Sequence, residues 1–302
     1  MSTEHLRHGA FAYEGDDEYV ARSLGFLKEG LEAGEGCVVA HTRDGIAKMR
    51  DALGHDAERV SFVDVGSVYT RPSRALAAYC GTLARELRTA PSVRAVADLQ
   101  ISPLREEWDE WVGYEALTNL AYAHLPAWVV CTYDVNALPD AVLDEMGRTH
   151  PEVLGDGWRA SGQFEDPREL VRRLGPEPEP LPHLLRSLAA GDDLEGFRER
   201  LARELAAASV PEATALDMLV AATEVAANAV RHGGGIAEVR AGSVSGRFVC
   251  EVIDRGGGFD DPAAGYLVPR AGIGKGLWVA RQLAWRLESF HSPRGFTVRL
   301  WA

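Results

Sequence analysis

The sequence is sparing with cysteine. Its four, Cys37, Cys80, Cys131 and Cys250, lie far apart and form no C-x-x-C pair. Three sit inside apolar, strand-like runs, so all four read as buried free thiols. No apolar stretch approaches the ~18 residues that cross a bilayer. The opening MSTEHLRHGAF lacks the apolar core of a signal peptide. Cytoplasmic localisation without a membrane is therefore expected. Basic charge is also short: 32 Lys and Arg face 45 Asp and Glu, a net charge of −13. That balance argues against direct nucleic-acid binding and against adsorption to anionic membranes. There is no internal repeat, and no G-x-x-x-x-G-K-[ST] follows a strand, so nucleotide binding through a P-loop is not expected.

What is present suits two globular domains: 302 residues, 46% hydrophobic and 25% charged. In the first half, FAYE (11–14), CVVAHT (37–42), VSFVDV (60–65), VRAVADLQ (93–100) and AWVVCTYDV (127–135) read as strands. Residues 19–33, 73–88 and 107–124 carry helical periodicity between them. Near-continuous apolar strands alternating with helices predict a mainly parallel sheet covered on both faces, a three-layer α/β domain. The composition then breaks at LGPEPEPLP (174–182), an extended Pro/Glu linker. The expected division is a first domain over 1–173, the linker over 174–182 and a second domain over 183–302.

The second half is patterned differently. Asp192 with Glu195 resembles a capping box opening a helix whose stripe is Leu194, Phe197, Leu201 and Leu205. Residues 211–231 predict a second helix, with Leu216, Leu219, Val220, Thr223 and Val230 toward the core and Glu224, Asn228 and Arg231 on the opposite stripe. AEVRAGSV (237–244) and RFVCEVID (247–254) alternate like an antiparallel hairpin. A third helix is expected over 276–287, followed by a closing hairpin of LESFHS and FTVRLW. This predicts a two-layer α/β sandwich with its helices on one face.

Three features of this half carry chemistry. Glu224 and Asn228 lie one helical turn apart, and a carboxylate and an amide so spaced share a water or a divalent cation. Asn228 offers an uncharged oxygen suited to Mg²⁺, and Glu224 is placed to act as a base. Taken alone, such a stripe is more often a solvated helix face. At the end of a strand comes DRGGGF (254–259), where Asp254 suits an exocyclic amine and Gly256 and Gly258 let backbone approach a flat ring. GIGKGLW (272–278) then runs into a helix, where exposed amides, the helix dipole and Lys275 favour a phosphate.

In this order, Glu-x-x-x-Asn, Asp-x-Gly-x-Gly and Gly-x-Gly-x-Gly resemble the N, G1 and G2 boxes of the GHKL (Bergerat, HATPase_c) ATPase superfamily. The resemblance covers about residues 185–302. TEVAANAVRHG and GFTVRLW look in particular like the anti-sigma-factor serine kinases. It implies an ATP site with Mg²⁺. Asn228 would bind the metal, Glu224 would be the catalytic carboxylate and Asp254 would read adenine N6. Gly256 and Gly258 would shape the adenine pocket, and Gly272, Gly274 and Gly276 would hold phosphates in a lid. Arg270 or Lys275 would reach the γ-phosphate. His232 is expected to pack beside the site.

A histidine kinase needs a phosphoacceptor histidine on a helical hairpin. The one candidate here, His183 in PLPHLLRSL, lies among prolines with no such hairpin after it. A serine/threonine kinase acting on a separate protein fits better. By resemblance its partners would be an STAS-domain anti-sigma antagonist, a sigma factor, or both. The rival readings are a non-catalytic ATP-binding regulatory module and an atypical sensor histidine kinase.

In the first half, HLRHGAFAYEGDDEYV, FLKEGLEAGEGCVVAHT, WVGYEALTNL, VVCTYDVNALPDAVL and RTHPEVL resemble the MEDS sensory family over about residues 5–155. That implies a RecA/KaiC-like fold without a P-loop and the sensing of small organic compounds. His5 and His8, with His150 and Cys131, have the makings of a metal site, although surface histidines are the commoner reading. Glu115 and Asn119 share a helix face. Tyr133 and Asp134 lie where a strand meets a loop, the end at which α/β folds bind ligands. His8, Glu115, Asn119, Tyr133, Asp134 and His150 are thus the sensor-pocket candidates. A docking or dimerisation domain without a ligand is the competing reading, and a homodimer stays open.

Overall fold

The structure is a computed structural model that describes residues 5–99, 108–175, 178, 181, 185–188, 191, 193–269 and 274–302. Two compact units divide the chain, Met1–Gly175 and Pro176–Ala302.

The first unit runs β1 (Arg7–Tyr13), α1 (Asp16–Glu32), β2 (Gly36–His41), α2 (Arg43–Leu53), β3 (Val60–Asp64), α3 (Val65–Val68), α4 (Pro72–Glu86) and β4 (Val93–Asp98). It continues with α5 (Trp108–Ala121), β5 (Ala127–Asp134), α6 (Asp140–Thr149), β6 (Glu152–Leu154), β7 (Trp158–Ala160) and α7 (Pro167–Leu174). The seven strands are ordered β3-β2-β4-β5-β1-β6-β7, parallel except for the antiparallel β6–β7 pair. This is the mainly parallel α/β sheet that the apolar strands predict.

The period-2 alternation of β1 sorts its side chains. Phe11 and Tyr13 join the core formed with Tyr19, Leu27 and Leu31 of α1 and Met49 and Leu53 of α2. His8 and Ala10 face the other way, in register with Val129 and Cys131 of β5. The α5 helix on that side is buried continuously over residues 111–118, and Glu115 lies in the middle of this run. The helices α2, α6 and α7 and the β6–β7 hairpin were not expected from the sequence. All are short, and no long apolar period announces them.

The second unit runs β8 (Arg186–Leu188), α8 (Leu194–Ala207), α9 (Glu212–His232), β9 (Ile236–Val244), β10 (Arg247–Asp254), α10 (Lys275–Leu283), β11 (Arg286–Ser292) and β12 (Gly295–Trp301). Its antiparallel sheet is ordered β11-β12-β10-β9-β8. Phe197, Leu201 and Leu205 of α8 are buried with Met218, Ala221, Ala222, Val225, Ala226 and Ala229 of α9 against Val239, Val252, Val298 and Leu300 of the sheet. Each large apolar side chain so buried contributes roughly 1.5–3 kcal/mol.

Several expectations need correction. The buried face of α9 is the alanine-rich one, whereas Leu216 and Val220 are exposed at 57% and 43%. Small residues let α9 lie close to the sheet and to α10, so bulk does not mark the inner face. The cap of α8 is Asp193, whose carboxylate accepts from the Gly196 amide at 3.1 Å; Asp192 lies outside the described residues. The third helix ends at Leu283 instead of 287, because Ala284 takes an extended backbone and β11 begins at Arg286. Finally, α9 is 21 residues long with a mean hydropathy of 1.3 and is apolar enough by length to cross a membrane. It is packed here as the core helix of a sandwich.

Candidate functional site

The second unit draws its three motifs together at one end of α9. Glu224 and Asn228 are half-buried, one turn apart on the edge of the helix beside its alanine face. The start of α10 lies over them. A Cβ added to Gly276 would sit 2.8 Å from Glu224 Oε2 and 3.1 and 3.2 Å from the two terminal atoms of Asn228. A larger residue there would have to push these two side-chain ends aside. The N-cap of α10 is Gly274, left-handed at φ 72°, with no side chain capping the helix. Its first-turn amides therefore remain available to an anion. Lys275 follows and is exposed.

Asp254 ends β10. Its Oδ1 accepts from the Gly256 amide at 2.8 Å. Its other oxygen faces Gly233, just past the C-terminus of α9. Gly256 packs on Gly233 in turn. Burial raises the Asp254 carboxyl above its ordinary pKa, offset in part by the Gly256 hydrogen bond and by His291. Gly258 is left-handed at φ 66°, and a Cβ there would run into the Phe296 ring. Phe296 in turn meets Phe259 edge-on, with ring centroids 4.9 Å apart. The segment leading to α10 is tied to it by Arg281, whose Nε donates to the Ala264 carbonyl at 2.8 Å and whose guanidinium lies 4.0 Å from the Tyr266 ring centre. No motif or spacing singles out Arg281 in advance.

The structure thus brings Glu224, Asn228 and Gly276 together, and Asp254 with Gly256. Arg270 and Gly272 lie outside the described residues, as does His183. Arg231 and His232 are exposed, so neither packs into the site. The donor set fits Mg²⁺: one carboxylate and one amide oxygen leave room for the waters and phosphate oxygens that this hard cation keeps.

In the first unit, burial corrects the surface reading of the histidines. His8 is 2% and His150 0% exposed, while His5 is exposed. His8 Nδ1 meets Asn119 Oδ1 at 3.0 Å, and Asn119 Nδ2 donates to the Thr149 carbonyl at 2.8 Å. Glu115 Oε2 lies 3.8 Å from His8 Nε2 and 3.5 Å from His150 Nε2. Tyr133 packs edge-on to His150 with ring centroids 5.8 Å apart. Asp134 instead closes the turn after β5, accepting from the Asn136 amide.

A second buried network escaped the sequence reading. Asp98, fully buried at the end of β4, accepts from Tyr13 Oη at 2.9 Å and Thr132 Oγ1 at 2.8 Å, and His41 Nε2 lies 3.6 Å away. A carboxylate ending an otherwise apolar strand was the signal available. Beside Cys131 is a narrow cavity lined by Tyr79, Tyr114, Val129 and other apolar groups, with about 20 Å³ of free space. That is room for one water-sized group.

Comparison with known families matches residues 7–151 to MEDS, the methanogen/methylotroph, DcmR sensory domain. Residues 188–301 match the histidine kinase-like ATPase domain. No curated protein matches the chain.

Proposed function

We propose that this chain, a MEDS sensory domain joined to a histidine kinase-like ATPase domain, is a cytoplasmic signalling kinase of the anti-sigma-factor type. It uses Mg·ATP to phosphorylate serine or threonine on an STAS-domain antagonist, binds a sigma factor, or does both. The small-molecule-sensing first domain regulates it. The observation that carries the reading is the approach of Gly276 to Glu224 and Asn228, which joins two motifs 48 residues apart (276 − 228) in one site.

In this reading Asp254 accepts from the adenine amino group, and Gly256 and Gly258 keep the ring's approach open. Asn228 holds the metal, which when bound would neutralise phosphate charge during transfer. Glu224 takes the proton from the attacking hydroxyl. The uncapped start of α10, with Gly274 and Lys275, receives phosphate oxygens. Arg270 and Gly272 are assigned to the same phosphates by their place in the motif.

The test is transfer from radiolabelled ATP to candidate antagonists, with the acid and base stability of the product read afterwards. A base-labile, acid-stable phosphate on the antagonist is the expected result. An acid-labile phosphate would point to histidine. In Glu224→Gln, transfer should stop while calorimetric Mg·ATP binding persists. Regulation of a partner by bound ATP with no phosphate moved would favour the binding module and overturn the kinase assignment.

A further inference from the structure

The first unit encloses a group of side chains that the ATP chemistry does not use. His8 comes from β1, Glu115 from α5, Cys131 from β5 and His150 from the end of α6. All four are buried, and their ligand atoms lie within 4.8 Å of one another. Individual separations are 3.3 Å for Cys131 Sγ to Glu115 Oε2 and 3.5 Å for His8 Nε2 to Cys131 Sγ. His150 Nε2 and His8 Nε2 lie 3.5 and 3.8 Å from the same Glu115 oxygen. Ligands about 2.0–2.3 Å from a tetrahedral zinc ion stand about 3.3–3.6 Å apart. Four-residue convergence at this spacing is what a metal shell requires and what apolar packing does not.

The hydrogen bonds around the group fix which atoms point inward. The Asn119 amide nitrogen donates to the Thr149 carbonyl, so its oxygen faces His8 Nδ1, which must then carry the proton. His150 Nδ1 meets the Met146 carbonyl at 2.9 Å and must donate as well. Both imidazoles therefore turn a bare Nε2 lone pair toward Glu115 and Cys131. Outer-sphere partners orient metal-bound histidines in this way. Among the described residues, His150 Nε2 and Glu115 Oε1 are buried without a hydrogen-bond partner. A lone pair and a carboxylate oxygen so placed carry a desolvation cost that a cation would offset.

We propose that His8, Glu115, Cys131 and His150 form a zinc-class divalent metal site inside the sensory domain. Two imidazole nitrogens, one sulfur and one carboxylate oxygen suit a borderline-soft ion and not Mg²⁺ or Ca²⁺. Four protein ligands close the shell, as in structural sites. The ion would pin β1, β5, α5 and the end of α6 to one another. Asn119 is the positioning residue that holds His8 in register.

The test uses the full chain, stripped with a chelator under reducing, anaerobic conditions and titrated with cobalt(II). One equivalent should give the intense visible bands of a tetrahedral ion together with a thiolate-to-cobalt charge-transfer band in the near ultraviolet. Zinc should compete it away. Cys131→Ala should lose the charge-transfer band, and His150→Gln should bind at least about tenfold more weakly. Asn119→Ala should keep the band and weaken binding by about 10–100-fold. His5→Gln should match the parent. Titration of the folded parent chain decides the question even if a variant fails to fold. The proposal is overturned if the parent gives no thiolate band at one equivalent, or if the band survives in a folded Cys131→Ala chain.

Discussion

The first residues of α10 rest against α9 so closely that a single methyl group on Gly276 would meet the Glu224 carboxylate at 2.8 Å. This contact joins the motif that reads as phosphate-binding to the one that reads as metal-binding. Gly276→Ala should therefore displace the Glu224 carboxylate and the Asn228 amide from their places in the site. Mg·ATP affinity should fall by about tenfold or more, equivalent to about 1.4 kcal/mol, with circular dichroism unchanged. Calorimetric titration checks it.

Asp254 links stability and binding with opposite signs. Its carboxyl is raised by burial, so ionising it opposes folding. The stability it supplies is present below the unfolded-state pKa and is lost as pH rises through the raised folded value. Asp254→Asn should then be no less stable than the parent near neutral pH, with its relative advantage shrinking on acidification. Nucleotide affinity should move the other way, down by about 1.5–3 kcal/mol for a lost charged hydrogen bond. On acidification, ATP affinity of the parent chain should begin to fall at a higher pH than an ordinary aspartate would give. Melting curves and calorimetry across the carboxylate range separate the two effects.

Gly258→Ala combines left-handed backbone with a collision against Phe296. A loss of about 1–3 kcal/mol in stability of the second unit is expected, together with weaker adenine binding. Restoring space with Phe296→Leu in the same chain should recover part of the binding, which an effect of backbone strain alone would not allow.

The sheet of the second unit carries a buried charge ladder. Glu251 is held by Arg299 Nε at 2.8 Å and by Arg240 Nη1 at 3.2 Å, and all three residues are under 9% exposed. Glu251→Ala removes the carboxylate that two buried guanidinium groups share, although Arg299 keeps Glu288 at 3.1 Å, and should cost about 3 kcal/mol. The Arg294–Glu238 pair is shorter, at 2.7 Å, yet half in solvent. Glu238→Gln should cost no more than about 1 kcal/mol. Scanning calorimetry of the two variants compares burial against distance as the deciding variable.

Five of the seven strands of the first sheet and four of the five of the second were legible because they are apolar and bounded by turn residues, as in CVVAHT and RFVCEVID; the three-residue β6, β7 and β8 were not. The order of the three ATP motifs was legible too, since each depends on residue type at fixed spacing. The inner face of α9 was not. Alanine is ambiguous in a periodic pattern, and the more hydrophobic Leu216 and Val220 point outward. The burial of His8 and His150 was equally hidden, because it depends on β1 and β5 lying side by side, 121 residues apart at Ala10 and Cys131 (131 − 10). Asp98 owes its contact with Tyr13 to the same kind of long-range juxtaposition, whereas Arg281 reaches across the segment before its own helix, to Ala264.

One consequence lies in the strand that opens the second unit. β8 is only three residues long and forms the rim of its sheet, paired to β9 from Arg186↔Ala241 to Leu188↔Val239. Just upstream, the Leu181 carbonyl accepts from Arg240, itself part of the charge ladder. Leu181 and β8 are therefore both fastened to β9, one through the Arg240 side chain and the other through the ladder. Tension applied at this edge would peel three ladder pairs, uncover the margin of β9 and loosen the grip on Arg240, so the rim of the sheet would yield before its centre.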